Sequence, residues 1–253
     1  MAGFVLRDCR LFAGPVDLTS VNNQVMLSCE LEQRPTTAFG DAGWRTLLGG
    51  LFSTGIDAAG QWEAGVDAAA AVMPVDPASW DGLVGRQAHP WTACPESADV
   101  GSLAWFTAAQ RSSYKLGGEV GQVAPWEAKA ASSGPLLRGV VVHAPGVPRS
   151  TAGAGPGSNR GPLSASQRLY AAVHVLSVTG TASPSITVRV ESDSDNTFAT
   201  PTTRATFSAA SAAAGRGQLV QVAGPVTDTW WRVAWTVTGT APEFLFLAAF
   251  GVA

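Results

Sequence analysis

Charge is scarce in this sequence. Only 14 % of its residues are Asp, Glu, Lys or Arg, about half the share usual for a globular protein, while 46 % are apolar. A chain with so little solvated surface to spare is expected to have much of it covered by partners. No run of basic residues occurs, which removes the electrostatic footprint of a nucleic-acid binder. Cysteine is limited to Cys9, Cys29 and Cys94, widely spaced and without a CxxC pair. That pattern argues against a disulfide framework or a zinc knuckle and for buried free thiols in a reducing compartment. Nowhere do about 18 apolar residues run together to span a bilayer. The N-terminal "MAGFVLRDCRLF" is interrupted by Arg7, Asp8 and Arg10, unlike a signal peptide. The expectation is a soluble protein made in a cytoplasm, with no membrane partner.

Catalytic chemistry is also missing. His89, His143 and His174 each lack a Cys, Asp or Glu within four residues, so metal-ligand spacing is absent. No GxSxG elbow occurs, and "GAGPGSNRG" lacks the lysine of a phosphate-binding loop. The reading is not an enzyme, with no cofactor and no metal. The best oxygen-rich stretch is "ESDSDNTF", where Asp193, Asp195 and Asn196 resemble calcium ligands, but the loop is too short for an EF-hand and lacks its Gly and terminal Glu. An Asx-rich hairpin turn explains the stretch as well.

What the chain has is strand pattern. Val25, Leu27, Cys29 and Leu31 alternate with polar residues, as a half-buried strand does. "GLFSTGIDAAGQWEAG" reads as a second strand and a turn, and 66–85 as one or two short helices broken by Pro74 and Pro77. Residues 103–109 suit helix or strand, with a hairpin favoured by Gly117-Gly118. The stretch 145–162, rich in Gly and Pro, reads as a loop or flexible arm. Beyond it, "QRLYAAVHVLSVTG", "PSITVRVESD", "RATFSA", "QLVQVAG", "TWWRVAWTVTG" and "EFLFLAAFGVA" are six strand-like segments, the spacing of an antiparallel sandwich or jelly roll. Charge is divided too: residues 1–134 hold 14 acids and 8 bases, residues 135–253 hold 5 acids and 8 bases. In "TWWRVAW", Trp231 and Trp235 fall on one face and Trp230 on the other, as core rings or as sugar-stacking ones.

The stretch 30–65 resembles the major tail tube proteins of long-tailed bacteriophages. The likeness rests on Thr36, Thr37, Phe39, Gly40, Trp44, Arg45, Gly50, Leu51, Gly60 and Trp62, and then on Gly118, Val120, Gly121, Gly134, Pro135, Leu136, Arg138 and Gly139. The resemblance implies a mainly β chain: a tail tube domain, 1–139, built as a β-sandwich or barrel with a short flanking helix, and a C-terminal antiparallel β-sandwich, 140–253, of jelly-roll or Ig-like type on the outer surface. It implies a virion structural protein, assembled in the host cytoplasm, whose hexameric rings stack into a DNA-delivery tube. Partners would be itself, other tail proteins and DNA passing through an acidic lumen without specific binding. Phe39, Trp44, Arg45 and Trp62 would be inter-subunit anchors, the alternative being aromatics buried inside one subunit. The other functional reading is a carbohydrate-binding or host-adhesion module in which Trp230, Trp231 and Trp235 stack on glycan. Whether 140–253 joins the tube wall stays open.

Overall fold

The computed structural model describes residues 6–37, 44–63, 79–80, 83–85 and 87–253. Some 62 % of the chain is strand and 3 % helix, so the mainly β expectation holds. In the N-terminal half, β1 (Arg10–Ala13), β2 (Val16–Asp17), β3 (Asn22–Pro35), β4 (Leu47–Gln61), β5 (Ala88–Cys94), β6 (Leu103–Leu116) and β7 (Pro125–Ser132) pair antiparallel in the order β2-β1-β5-β6-β7-β4-β3. Their inward positions share a core that includes Leu11, Leu18, Ile56, Trp91 and Trp126. Each large side chain so buried contributes about 1.5–3 kcal/mol. Residues 103–109 are strand, and Gly117-Gly118 turns β6 into β7. Of the helical stretch expected over 66–85, the described Ser79, Trp80, Leu83 and Val84 are helical; most of the rest lies outside the described residues.

Beyond the 145–162 stretch the chain has four strands, two of them very long, where its glycine punctuation predicts six. The elements of the C-terminal half are β8 (Leu137–His143), β9 (Gly153–Ala154), β10 (Ser158–Asn159), β11 (Arg168–Asp193), β12 (Thr202–Thr206), β13 (Gly217–Ala223) and β14 (Trp230–Val252). Four of the expected segments fuse into β11 and β14, of 26 and 23 residues, paired over nearly their whole length. The register shifts between Thr179 and Ser185. There Gly180 (φ 115°) and Gly239 (φ 109°) adopt backbone that L side chains avoid. Both strands fold over at this point. Val173, Val188, Trp231, Val233, Trp235 and Phe246, drawn from both ends of the two strands, meet in one core.

The first half of β11 is buried on both faces, which explains its nearly unbroken apolar run. Ala171 and Val173 face the sandwich core, whereas Ala172 joins Phe12, Phe106, Leu137 and Leu247 in a core shared with the N-terminal half. The division expected at 139/140 therefore falls inside β8, which pairs with β6 and with β14 and makes one sheet continuous between the halves. At Gly139 the crossing is so close that a Cβ would run into the Phe250 carbonyl oxygen. The 145–162 stretch is no free arm. β9 and β10 pair with β14, Arg149 exchanges backbone hydrogen bonds with Phe244, and the indole N–H groups of Trp231 and Trp235 donate to the carbonyls of Gly161 and Thr151 at 3.1 and 3.0 Å.

Candidate assembly interface

The most unusual feature of the surface is the β3–β4 hairpin. β7 accompanies β4 only as far as Thr54, paired with Ser132. Before Thr54, β4 has β3 alone, and this outer arm of about seven residues per strand projects roughly 20 Å at ~3.3 Å per residue. Within the body one face of the hairpin is core: Leu27 opposes the buried Ile56, and Val25 the buried Ala58. The same face continues outward through Cys29 and Thr54 to Leu31 opposite Phe52. There Leu31 and Phe52 are 44 % and 71 % exposed. Leu48 and Leu51 add 63 % and 80 % exposure to the same arm. The other face is mixed: Glu30 opposes Ser53, Leu48 opposes Arg34, and Asp57 opposes Met26 and is paired with Lys129 at 3.7 Å. Among the described residues the outer edge of β3 pairs with no strand. A long, partly apolar free edge is an invitation to pair with another chain.

Thr36 and Thr37 clasp the outer end of the arm. The Thr36 N–H donates to the Thr46 carbonyl at 2.8 Å, and Thr37 Oγ1 accepts from the Thr46 N–H at 3.2 Å. Trp44, 81 % exposed, and the exposed Arg45 sit beside this clasp. Phe39 and Gly40 lie outside the described residues. Gly60 explains itself at the base of the hairpin, where a Cβ would collide with the Val21 carbonyl oxygen. Trp62 is placed differently from Trp44: half-buried, it packs on the N-terminal core and its indole N–H donates to the Tyr114 hydroxyl at 2.9 Å. Its contacts are made within the subunit.

A second surface lies where the halves meet. The β1–β2 turn, the segment 96–99, the segment 144–147 and β11 line a groove of about 570 Å³. Its lining includes Asp8, Asp17, Glu96 and Asp99, one guanidinium, Arg10, and the apolar Val16, Val147 and Leu176.

Two histidines that the sequence left without a role pin the structure from inside. His174 Nδ1 lies 2.8 Å from the Gly14 carbonyl and Nε2 2.7 Å from Thr92 Oγ1. The carbonyl can only accept, so Nδ1 carries the proton and Nε2 accepts from the threonine hydroxyl. His143 repeats the arrangement: Nδ1–H donates to the Phe246 carbonyl at 2.9 Å, Nε2 accepts from Arg149 Nε at 2.9 Å, and the ring stacks on Phe246. Burial lowers the pKa of each to about 4, helped by the positive field of His89 at His174 and of Arg149 at His143, and opposed by the backbone hydrogen bond. No spacing rule finds such residues, because their partners lie 82, 103 and 160 positions away.

The remaining candidates are accounted for inside the chain. Trp231 and Trp235 are buried in the sandwich core, leaving Trp230 half-buried. In the 191–198 loop the Asp193 carboxylate accepts from the backbone of Ser194 and Thr200, and Asp195 from the N–H and hydroxyl of Thr197. The Asp195 bond is an Asx turn, Asp193 ties the loop together across seven residues, and among the described residues no three His, Cys, Asp or Glu are placed to hold a metal ion.

No family model matches this sequence, and no curated protein matches it. Solved structures do. The chain is similar to a chain in the tail of an empty gene transfer agent particle refined with C6 helical symmetry, at 22 % identity over 46 % of this chain and 80 % of that one, with a TM-score of 0.36. It is similar to a chain in the virion of the native gene transfer agent particle, at 21 % identity over 51 % and 93 %, with a TM-score of 0.38. It is also similar to the SPP1 Dit protein, a paradigm of the hub adsorption apparatus in phages infecting Gram-positive bacteria, at 12 % identity over 98 % and 100 %, with a TM-score of 0.33.

Proposed function

We propose that this chain is a structural protein of a phage tail, a tube subunit that closes with its copies into hexameric rings stacked around the DNA channel. The observation that carries the reading is the uncovered arm: an apolar core face that runs past the end of its own subunit needs a neighbour to cover it. The tube-like motif residues Thr36, Thr37 and Gly60 support it, since two close the arm's tip and one allows the close approach at its base. The hexamer and the channel come from the family resemblance. With Leu31 and Phe52 against a neighbour, Glu30 on the opposite face would line the lumen and repel passing phosphates. The folded-over sandwich would then lie outward. Electron microscopy and sedimentation of the purified full chain test this. Six-fold rings or tubes are expected, and a monomer at every concentration overturns it.

A further inference from the structure

The arm's tip and the groove between the halves have complementary chemistry. Trp44 and Arg45 present an aromatic ring and a cation side by side, and among the described residues Arg45 makes no ion pair, whereas Arg34 is bound to Glu32 at 2.6 Å. The groove's lining combines apolar Val16, Val147 and Leu176 with four carboxylates and a single guanidinium, Arg10. A flat ring next to a cation suits such a site, with the indole on Val147 and Leu176 and the guanidinium between the rim carboxylates. The clasp of Thr36, Thr37 and Thr46 holds the tip closed beforehand, which lowers the entropy lost on docking.

We infer that the Trp44–Arg45 tip of one copy docks into the acidic groove of a second copy. The inference rests on the assembly reading above and names the surface that receives the anchor. The two patches differ, so the contact is heterologous: each subunit has one tip and one groove, and copies add head to tail until a ring closes or a filament grows. The rim charges are near the surface, so the junction weakens as salt rises.

The test uses full-length chains with reversed charges at exposed positions. Arg45→Glu disables the tip, and Glu96→Arg with Asp99→Arg disables the groove; all three residues are exposed, so thermal unfolding should match the unaltered chain. Each variant alone should need at least roughly ten-fold more protein for half-assembly, because like charges now face each other. Mixed in equal amounts, the tip-disabled chain still offers a groove and the groove-disabled chain still offers a tip. The reversed tip of the first also meets the reversed groove of the second, so both junctions carry opposite charges and sedimentation velocity should show alternating copies elongating again. All three reversals in one chain should restore elongation. Either variant assembling like the unaltered chain, or a mixture that stays monomeric, overturns this docking while leaving tube formation standing. An unaltered chain that never self-associates overturns both.

Discussion

Lowering the pH from 7 to 5 is expected to remove about 4 kcal/mol from the stability of this fold, through His143 and His174. Each ring is held neutral in the folded chain with its pKa depressed from 6.5 to about 4. Above 6.5 both folded and unfolded states are neutral at these positions, and the stability is full. As the pH falls below 6.5 the unfolded chain takes up a proton that the folded chain refuses, and stability drops by about 1.4 kcal/mol per pH unit per histidine. The loss ends near pH 4, where the folded rings also protonate and the acceptors of the Thr92 hydroxyl and of Arg149 Nε disappear. Between pH 7 and 5 each histidine accounts for about 2 kcal/mol. Glu191 and Asp228, whose hydrogen bonds to arginine and serine hold their pKa values below the usual carboxylate range, lose their contribution further down. The window above pH 5 therefore isolates the histidines, and His89, its pKa also lowered by burial and by the Arg111 charge, adds to the loss in the same direction. Urea unfolding in a Phe52→Asp background, which keeps the chain unassembled, should show the midpoint falling steeply with acid, and His174→Gln should flatten the dependence by about half while lowering stability at pH 7. A midpoint that is level from pH 7 to 5, or a slope untouched by His174→Gln, would refute the argument that these rings are buried and neutral.

Three further outcomes are expected. Phe52→Asp or Leu31→Asp should abolish assembly and leave the unfolding midpoint of the subunit within about 0.5 kcal/mol of the original, since both side chains are exposed; a large loss of stability measured by urea would place the arm inside the subunit core. Gly139→Ala should cost at least about 2 kcal/mol, because its methyl has the Phe250 carbonyl oxygen in its way; a midpoint equal to the original would show that β8 and β14 separate freely. A chain ending at 139 should be insoluble, since it severs β8 and bares Phe106 and Leu137; a soluble product with a cooperative unfolding transition would show that the N-terminal half has a complete core of its own.

Much of this architecture was legible because alternation is a local property. Val25, Leu27, Cys29 and Leu31 read as one face of a strand, and they are one. What alternation could not supply was the end of the body: Leu27 and Leu31 look alike in sequence, yet one faces Ile56 beneath β7 and the other stands in the arm beyond it. Exposure at Leu31 depends on where β7 stops, and that is set by Ser132, 101 residues further on. Trp44 and Trp62 differ for the same reason. Both are aromatic residues flanking strands in one motif, but only Trp62 has Tyr114 across the sheet to bind its indole N–H.

The long strands show a different limit. Glycine at a break in an apolar pattern marks a turn and a bulge equally well, so Gly180 and Gly239 read as the ends of strands when they are the creases of strands that continue. That ambiguity also conceals how the halves are joined. If β11 and β14 were each two strands, the sandwich would close on itself and the glycine-rich 145–162 stretch would be a natural hinge. Because they continue through their creases, one end of each faces the sandwich core while its reverse side, Ala172 and His174 on β11 and Leu247 on β14, is pressed against Phe12, Phe106 and the Gly14 turn. β8 then has a partner on either edge, and a boundary placed by composition passes through the middle of a hydrogen-bonded strand. A force applied to the C-terminal half is carried through β8 into β6, the strand that also bears β7 and, through it, the arm, and through His174 into Thr92 of β5 and the Gly14 turn. The C-terminal half is thereby mechanically connected to the β3–β4 arm.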